Sequence, residues 1–366
     1  MNGLTVGVEE EYQLVDADTF ALRPGIEQVL PTATAAVGDQ VEPELHQSQI
    51  EVGTMVCHTL DEVRNELSLL RMRVAAAAES EGFRLVAAAT HPFARRQEQR
   101  FTPRPAYEAL AERYGHLADE QLVFGCHVHV AVDDAELAIQ VMNRARPWLA
   151  PLLALSASSP YWEGTDTTYA SYRTEVFGRW PTAGTPSAFR SRADYDGMIA
   201  ELLATESIDA PARLYWDVRP SARYPTLEFR VADVCTSVDD AVLLAGLVRG
   251  LVATCAAQAL AGEPEPQVRP ELLRSASWRA ARHGLEADLV DIGGMRAGPA
   301  GDVLGALAAF VRPALEADGD WEVVTDQLER LLARGTSARH QRDLMVRADD
   351  LTSVVAWLVD ETCAGC

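Results

Sequence analysis

Six short stretches in the first two thirds of the chain have the character of β-strands, and in four of them apolar and polar residues alternate with a period of two. The predicted strands are residues 5–15, 45–54, 83–93, 121–132, 213–221 and 224–233. They are separated by segments of different pattern, so the sheet is assembled from strands that are spread along the sequence.

The helical positions follow a period of three to four residues. Thr59 and Glu62 form a capping-box pattern at the start of one helix. Its apolar stripe is Leu60, Val63, Leu67, Leu70 and Val74. A second helix is predicted over 135–156 with an interruption at Pro147, and 157–198 is predicted as a long loop-rich segment, a length that indicates function.

The order of elements predicts an α+β fold, with a probably antiparallel sheet followed by a helical C-terminal part. We expect one domain over residues 1–366, sheet-rich over 1–237 and mainly helical over 238–366. The most apolar stretch begins at Ala241 and is interrupted by Arg249, so no membrane span is predicted. No basic and apolar leader is seen at the N-terminus, and a cytoplasmic location is expected.

The charge composition excludes several classes of function. The formal net charge is -22, which argues against non-specific binding to nucleic acid or to an anionic membrane. The sequence contains no lysine, so all 32 basic residues are arginine. Phosphate-loop, Schiff-base and protein-kinase mechanisms that need a lysine are therefore excluded.

The cysteines are expected to be bystanders. They lie at positions 57, 126, 235, 255, 363 and 366, a scatter that does not form a disulfide framework. Cys363 and Cys366 have the spacing of a redox pair, but no helix follows that would activate a thiol.

The opening strand carries three consecutive glutamates, which strands usually avoid. Glu9 and Glu11 share one face roughly 7 Å apart, a separation at which a divalent cation would relieve their repulsion. Glu10 points to the other face with the apolar residues. We expect Glu10 to be buried against a partner, or to lie at the sheet edge, rather than to be catalytic.

Three other predicted strands repeat this arrangement of one apolar face and one polar face. The polar residues are Glu44, Gln47, Gln49 and Glu51 near the second strand, Gly125, His127 and His129 on the fourth, and Glu228 and Arg230 on the last. A solvated surface is the alternative, but the repeated carboxylates and imidazoles favour a metal-lined cleft. Oxygen-rich ligation suits Mg²⁺ or Mn²⁺ better than structural zinc, with His127 as the better ligand and His129 lining the cleft.

Arginines form the second candidate constellation, because guanidinium groups bind carboxylate and phosphate bidentately. The loop-rich segment and the last strands contribute Arg173, Arg179, Arg219 and Arg230, and the helical part contributes Arg279, Arg282 and Arg342. For Arg279, Arg282 and Arg342, a surface ion pair and a functional role are equally expected. Metals together with arginines indicate a polyanionic substrate such as a nucleotide.

Several motifs in order resemble the carboxylate–amine ligases of the glutamate–cysteine ligase type 2 family. They are "GVEEEYQLVD", "QSQIEVGT", "HPF", "CHVHV", "SPYWEGTDTTYASYR", "FGRWPTAG", "WDVRPS" and "TLEFRVAD", followed by "WRAARHGLEADLVD" and "GTSARHQR". Any one motif would be weak evidence, but together they extend the resemblance over nearly the whole chain. Departures are Thr168, where a glycine is expected, and "GTSARHQR" in place of a GTGA-type sequence.

The resemblance implies a fold like that of glutamine synthetase and the guanidino kinases, an antiparallel sheet curved around an active-site funnel with helices outside. It implies ATP and Mg²⁺, with Arg230 contacting the transferred phosphate or the acid substrate. The positions that match metal ligands of related ligases are Glu9, Glu11, Glu44, Glu51, His127 and Glu228. A homodimer is expected from size and family.

The expected reaction joins a small-molecule acid to an amine through an acyl phosphate, with glutamate and cysteine as the pair that the family name implies. Arg230, Arg173 and Glu228 are expected to be catalytic, and Arg179, Arg219, Arg279, Arg282, Arg342 and His129 to bind ATP or substrate. The alternatives are a small-molecule kinase of the same fold, a catalytically silent nucleotide- or metal-binding regulator, and a metal-dependent amidohydrolase.

Overall fold

The computed structural model describes residues 3–364, which contain a main sheet of seven strands and two separate hairpins. The strands are β1 (Val6–Asp16), β2 (Val41–Pro43), β3 (Gln49–Gly53), β4 (Phe83–Val86), β5 (Gly125–Ala131), β6 (Tyr161–Trp162), β7 (Thr165–Asp166), β8 (Val218–Pro220), β9 (Thr226–Asp233), β10 (Leu289–Asp291) and β11 (Arg296–Gly298). The main sheet has the order β2-β3-β1-β5-β9-β8, with β4 beside the end of β1. Every pairing in it is antiparallel, which confirms the predicted sheet type.

The helices are distributed along the whole chain and dominate its last third. They are α1 (Ile26–Val37), α2 (Leu60–Ser80), α3 (Pro105–Tyr114), α4 (His116–Asp119), α5 (Ala135–Ala145), α6 (Leu149–Ser156), α7 (Tyr172–Phe177), α8 (Arg192–Ala204), α9 (Val238–Leu260), α10 (Pro270–His283), α11 (Ala300–Asp318), α12 (Trp321–Arg334), α13 (Ser337–Ala348) and α14 (Leu351–Thr362).

Local patterns predicted six of the strands, α2, α5, α6 and the helical character after residue 238, but not α1, α3 or α4. At the start of α2, the Thr59 side chain accepts a hydrogen bond from the Glu62 amide, as the capping box requires. The helix predicted over 135–156 is α5 and α6, separated by a 3₁₀ turn at Arg146–Trp148 around Pro147. The loop-rich segment 157–198 contains the hairpin β6–β7, helix α7 and the start of α8, which the pattern did not predict.

The strand predicted over 83–93 is shorter than expected, because it ends at Val86. Beyond this residue the backbone bonds to side chains instead of a neighbouring strand. The amide of Ala87 donates to Thr362 Oγ1 at 2.8 Å and the amide of Ala89 to Ser158 Oγ at 3.1 Å. Tertiary contacts of this kind are invisible to a residue pattern.

One face of the sheet forms the main hydrophobic core with the helices. Val8 on β1 lies opposite Val128 on β5, which in turn lies opposite Phe229 on β9, and all three side chains are buried. The same cluster includes residues of α9 and of α11, such as Leu247 and Leu307. The core therefore joins the sheet-rich part of the chain to the helical part.

Helix α9 is long and apolar enough to cross a membrane, but 89% of its apolar window is buried inside the protein. It packs against β5 and α11, as a core helix does. Arg249, the charge within this helix, is itself buried, pairs with Asp320 and donates to the His58 carbonyl oxygen at 2.8 Å. A paired arginine is thus accommodated in the core.

Glu10 is fully buried on the apolar side of the central strand β1, as one of the two sequence-based expectations proposed. Its Oε1 lies 2.6 Å from Nη2 of Arg71, which is also fully buried, and its Oε2 accepts from the Tyr12 hydroxyl at 2.5 Å. The expectation of an edge position is wrong, since β1 pairs on both sides.

Arg71 connects this buried pair to distant parts of the chain. Its guanidinium donates to the carbonyl oxygens of Cys235 and Thr236, each at 2.7 Å, and of Thr362 at 3.1 Å. Burial of a charge is tolerated when every donor is satisfied. Helix α2, strand β1, the end of β9 and the C-terminal helix α14 thereby meet at one side chain.

Candidate active site

The polar face of the main sheet is the floor of an open cavity of about 350 Å³. All six residues predicted as metal ligands line it: Glu9, Glu11, Glu44, Glu51, His127 and Glu228. His129, Arg173, Arg219 and Arg230 line it as well. The sequence pattern therefore identified a set of side chains that the fold brings together from five strands, helix α7 and the loop after β2.

Strand register explains this convergence. Glu9 lies opposite His127 across the β1–β5 pairing, and Glu11 lies opposite Glu51 across the β1–β3 pairing. His129 on β5 lies opposite Glu228 on β9. Residues opposite each other on antiparallel strands point to the same face, so neighbouring strands place their polar side chains side by side.

Three groups of side chains on this face have ligand atoms close enough to share a metal ion. The groups are Glu9, His129 and Glu228; Glu9, Glu51 and His127; and Glu11, Glu44 and Glu51. Within each group the ligand atoms lie within 4.8 Å of one another. Adjacent groups share Glu9 or Glu51, so the three candidate sites form a row along the sheet.

The first two groups are organised by contacts between Glu9 and the two histidines. His127 Nδ1 lies 3.2 Å from Glu9 Oε2, and His129 Nε2 lies 3.3 Å from Glu9 Oε1. Burial alone would raise the pKa of Glu9, but the hydrogen bonds of both imidazoles outweigh it and lower that pKa. Glu9 is therefore an anion.

His127 is a neutral imidazole, since burial and the nearby Arg230 guanidinium lower its pKa to about 4. Its Nδ1 donates a proton to Glu9, so the other ring nitrogen keeps a lone pair. That atom, Nε2, is buried and has no hydrogen-bond partner among residues 3–364. A neutral imidazole with one nitrogen oriented and the other free is the form that binds a metal ion.

The third group concentrates negative charge. Burial, followed by the adjacent Glu44, raises the pKa of Glu11 to about 7. Burial and the carboxylates of Glu44, Glu9 and Glu11 raise the pKa of Glu51 well above its usual range. Carboxylates packed this closely are stable only with protons or a cation between them.

Glu228 sits among arginines at the other end of the row. It accepts hydrogen bonds from Arg219 Nε at 2.8 Å and from Arg230 Nη1. Burial raises the pKa of Glu228, but the two guanidinium groups dominate and lower it. Glu228 is thus an anion that also orients Arg219 and Arg230 towards the cavity.

Arg173 reaches the cavity from α7 and is 3% exposed. Its Nη2 donates to the Arg230 carbonyl oxygen at 3.2 Å, and its Nη1 lies 3.9 Å from Asp233 Oδ1. Asp233 also accepts from the hydroxyls of Ser159 and Ser171, each at 2.7 Å. This buried carboxylate holds the start of α7, and therefore the base of Arg173, against β9.

Gly125 and Asp233 support the site, although sequence reasoning gave neither a role. The Gly125 amide donates to Glu11 Oε2 at 2.6 Å, and the Arg173 guanidinium lies against its Cα. A glycine inside a strand pattern is a signal of close approach, and this signal was available in "FGCHVHV". Asp233 carried no such signal, because its partners lie more than 60 residues away.

The remaining predicted arginines lie outside this cavity. Arg179 lines a neighbouring cavity and pairs with Glu120 at 2.6 Å. Arg279 donates to the Asp288 carbonyl oxygen at 2.5 Å, and Arg282 to that of Thr168. Arg342 binds Asp166 through Nε and Nη2, and also the Tyr169 carbonyl oxygen.

Arg282 and Arg342 thus support the turn that contains Thr168, the position at which the motif led us to expect glycine. Thr168 has φ of +64°, a left-handed conformation that β-branched residues rarely adopt. Its amide donates to Asp166 Oδ1 at 2.8 Å. The expectation of glycine has a conformational cause, which is this positive φ.

The described cysteines do not line the cavity. Cys57, Cys126, Cys235 and Cys255 are buried in the core, and Cys363 is half-buried near the end of α14. Cys366 lies outside the described residues.

Comparisons with known proteins agree with the geometry. The family model described as Glutamate-cysteine ligase family 2 matches residues 5–356. A protein of Frankia alni named "Putative glutamate--cysteine ligase 2-2" is 45% identical over 98% of this chain and 97% of its own length. A relative in Rhodopirellula baltica, with a name of the same kind, is 42% identical over 98% of this chain and 96% of its own length.

Solved structures show the same fold at low identity. Glutamate–cysteine ligase from Francisella tularensis, solved in complex with AMP, has a TM-score of 0.71 at 12% identity and covers 100% of this chain and 90% of its own. A bifunctional glutathione synthetase from Pasteurella multocida has a TM-score of 0.72 at 17% identity, covering 99% of this chain and 52% of its own. The chain therefore belongs to glutamate–cysteine ligase family 2, a family of ATP-dependent ligases, as its motifs predicted.

Proposed function

We propose that this protein joins a carboxylic acid to an amine at the expense of ATP, through an acyl-phosphate intermediate. The observation that carries the proposal is the row of three ligand groups on one sheet face, bordered by Arg173, Arg219 and Arg230. Such a site suits a polyanionic substrate whose charge must be neutralised during transfer. The family membership supplies the class of reaction.

The residues present fit divalent cations. His127 Nε2 is buried without a partner, and Glu11, Glu44 and Glu51 crowd together. Oxygen ligands with at most one imidazole per group favour Mg²⁺ or Mn²⁺. The ions would be held by Glu9, Glu11, Glu44, Glu51, His127 and Glu228, and His129 is the third member of the group that contains Glu9 and Glu228. When bound, they neutralise phosphate charge and polarise the phosphoryl oxygens.

The arginines supply the remaining positive charge. Arg230 and Arg173 lie beside the ligand row, and Glu228 fixes the direction of Arg230. A guanidinium held by a carboxylate and carbonyl oxygens does not reorganise when charge develops, which is the condition for strong electrostatic stabilisation. We assign Arg230 and Arg173 to the transferring phosphoryl group and Arg219 and His129 to substrate binding.

The reaction needs no nucleophile from the protein. The acid substrate's carboxylate attacks the γ-phosphorus of ATP and ADP leaves, so the acid becomes an acyl phosphate. The amine then attacks the acyl carbon and phosphate leaves. Orientation of the reactants accounts for much of such an acceleration, and the family name nominates glutamate and cysteine as the first pair to test.

The test is ADP release with ATP and Mg²⁺ across a matrix of acids and amines, with product mass as a second readout. A ligase requires both an acid and an amine for ADP release and gives an amide. ADP with an acid or an amine alone would instead establish the kinase. No ADP in any combination, with ATP bound, would point to an untested substrate or to a silent nucleotide binder, and amide hydrolysis without ATP would point to an amidohydrolase.

Four further expectations stay predictions of the sequence. They are the single-domain organisation over 1–366, the curvature of the sheet around a funnel as in glutamine synthetase and the guanidino kinases, the cytoplasmic location and the homodimer.

A further inference from the structure

A second cavity, of about 900 Å³, adjoins the first and lies between α7, the loop at 183–185 and α10. The two cavities share Arg173 and Phe177 in their linings. The Arg173 guanidinium carbon lies 5.1 Å from the centre of the Phe177 ring, so these two side chains form one wall. A ligand in either cavity would therefore approach Arg173 from its own side.

Arg173 has one N–H donor without a hydrogen-bond partner among the described residues. Its Nη atoms are directed at carbonyl oxygens of β9, but its Nε is buried and has no hydrogen-bond partner among the described residues. An unsatisfied buried donor costs about 1–3 kcal/mol, so a polar ligand group at this position would be favoured.

Asp217 offers an acceptor at the floor of the second cavity. Its Oδ2 accepts from the Thr185 hydroxyl at 2.9 Å, while Oδ1 has no hydrogen-bond partner in the part of the chain that the structure describes. Burial raises the pKa of Asp217 to about 6. A partly desolvated carboxylate with a free oxygen is a receptor for an ammonium group.

The α10 side of the cavity carries both signs of charge, because Glu271 and Arg274 line it and are both exposed. Arg274 on α10 is exposed, lines the cavity and makes no ion pair with any described residue. Trp278, one helical turn further on, is 45% exposed at the same mouth. A ligand with a cationic end inside and an anionic group outside would match this arrangement.

The first cavity is small for the proposed reaction. Its 350 Å³ is at the lower end of the roughly 300–1,000 Å³ that hold one drug-sized ligand. The proposed reaction brings three molecules together, and the phosphates of ATP must lie at the ligand row. A substrate that enters later needs a separate approach to the same arginine.

We propose that the second cavity is the binding site of the amine substrate, an amino compound whose ammonium group contacts Asp217 and whose anionic group pairs with Arg274. This inference rests on the proposed ligase function and adds to it where the second substrate binds and which chemical class it belongs to. An amine without an anionic group would lose the contact with Arg274.

The step at this site conserves atoms and charge. The ammonium gives one proton to the Asp217 carboxylate, and the nitrogen lone pair forms a bond to the carbon of the acyl phosphate. The bond between that carbon and the phosphate oxygen breaks, and the phosphate takes the electron pair. The second proton from nitrogen passes to the departing phosphate, leaving a neutral amide.

The test separates activation of the acid from use of the amine. Hydroxylamine traps an acyl phosphate as a hydroxamate, and its size lets it react without a dedicated site. Wild type, Asp217→Asn and Arg274→Glu are assayed for hydroxamate with a panel of acids, and for amide with the twenty standard amino acids as amines. The control is Arg347→Glu, which changes an exposed arginine of α13 that lines neither cavity.

We expect the ratio of amide to hydroxamate to fall at least tenfold in Arg274→Glu and Asp217→Asn through a higher KM for the amine, and to keep its wild-type value in Arg347→Glu. A wild-type ratio in Arg274→Glu would overturn the proposal, even if Asp217→Asn fails to fold. An equal loss of both products in Arg274→Glu would also overturn it, because the cavity would then serve ATP or the acid. No hydroxamate from wild type with any acid would contradict the ligase function itself, on which the proposal depends.

Discussion

Gly125 lies so close to Arg173 that a Cβ atom on residue 125 would stand 2.6 Å from Arg173 Nη2. The same Cβ would stand 3.1 Å from His127 Nε2, the imidazole nitrogen without a hydrogen-bond partner among the described residues. The absence of a Cβ atom at residue 125 therefore allows Arg173 and a candidate metal ligand to lie side by side.

Gly125→Ala tests this contact. The methyl group must displace a buried guanidinium, so we expect a stability loss of about 1–3 kcal/mol, together with a strong loss of turnover. The measurement is urea unfolding combined with the ADP assay. Gly7→Ala is the matched control, since its Cβ would meet nothing closer than 3.9 Å on the same face of the sheet. Equal effects of the two substitutions on stability and turnover would show that the close approach of Arg173 to Gly125 is not needed for either.

Glu228→Gln tests the anion at the end of the ligand row. The amide keeps a hydrogen-bond acceptor for Arg219 and Arg230 but removes the charge that holds them and would bind a cation. We expect turnover to fall by on the order of 10²-fold or more, with the circular dichroism spectrum of the wild type. Glu42→Gln, at an exposed position of β2, serves as the comparison. Near-normal turnover would rule out Glu228 as an essential group.

Thr168→Gly tests the strained turn. A β-branched residue at φ of +64° lowers the stability by about 1–2 kcal/mol. Glycine removes this strain, but it also increases the conformational entropy of the unfolded chain, which cancels part of the gain. We expect a net stabilisation of about 1 kcal/mol, seen as a higher Tm. Thr167→Gly should do the reverse, since the Thr167 hydroxyl bonds the Pro160 carbonyl oxygen and the Tyr169 amide. A lower Tm for Thr168→Gly would mean that the threonine side chain makes a compensating contact.

Because of His91, we expect the free energy of unfolding to fall in acid. Its Nε2 contacts the Phe20 carbonyl oxygen at 2.9 Å, and its Nδ1 accepts from the Ala94 amide at 3.0 Å, an arrangement that only the neutral ring allows. Burial lowers the pKa of His91 to about 4, whereas the unfolded chain takes up the proton near 6.5. The unfolded state therefore binds more protons between these values, and stability falls as pH drops from about 6.5 to about 4.

Urea unfolding at pH 7 and pH 4.5 measures this effect. Replacing His91 by Gln should remove up to about 3 kcal/mol of the pH dependence. His46 and His127 have lowered pKa values as well, so part of the dependence will remain in the variant. An unchanged pH profile in His91→Gln would contradict the assignment of a neutral ring.

The alternation of side chains along strands carried most of the prediction of which side chains share one face of the sheet. It placed Glu9 and Glu11 on the face opposite Glu10, because that relation needs only a strand and its period. It also placed His127 and His129 on one face of β5. What brought these strands together was the order of the sheet, which the residue pattern alone does not encode.

The parts that sequence reasoning missed depend on contacts between distant residues. Arg173 reaches β5 only because Gly125 leaves room, and 48 positions separate the two in the sequence. The strand context favoured a functional role for Arg230, which lines the cavity, but it left Arg342 evenly balanced between function and an ion pair. The contact that places Arg342 at Asp166 joins residues far apart in the sequence and has no local signal.

The fully buried Arg71 has a consequence for where the chain can be shortened. One of its acceptors is the carbonyl oxygen of Thr362, in the last turn of α14, and the Thr362 hydroxyl also caps the Ala87 amide. Removing the C-terminus up to and including this residue would leave the buried Arg71 guanidinium without one of its acceptors. This guanidinium lies under β1, the strand that carries Glu9 and Glu11. Helix α14 thus supports the strand of the ligand row, although the two lie at opposite ends of the sequence. Any tag or truncation must therefore leave residue 362 in place.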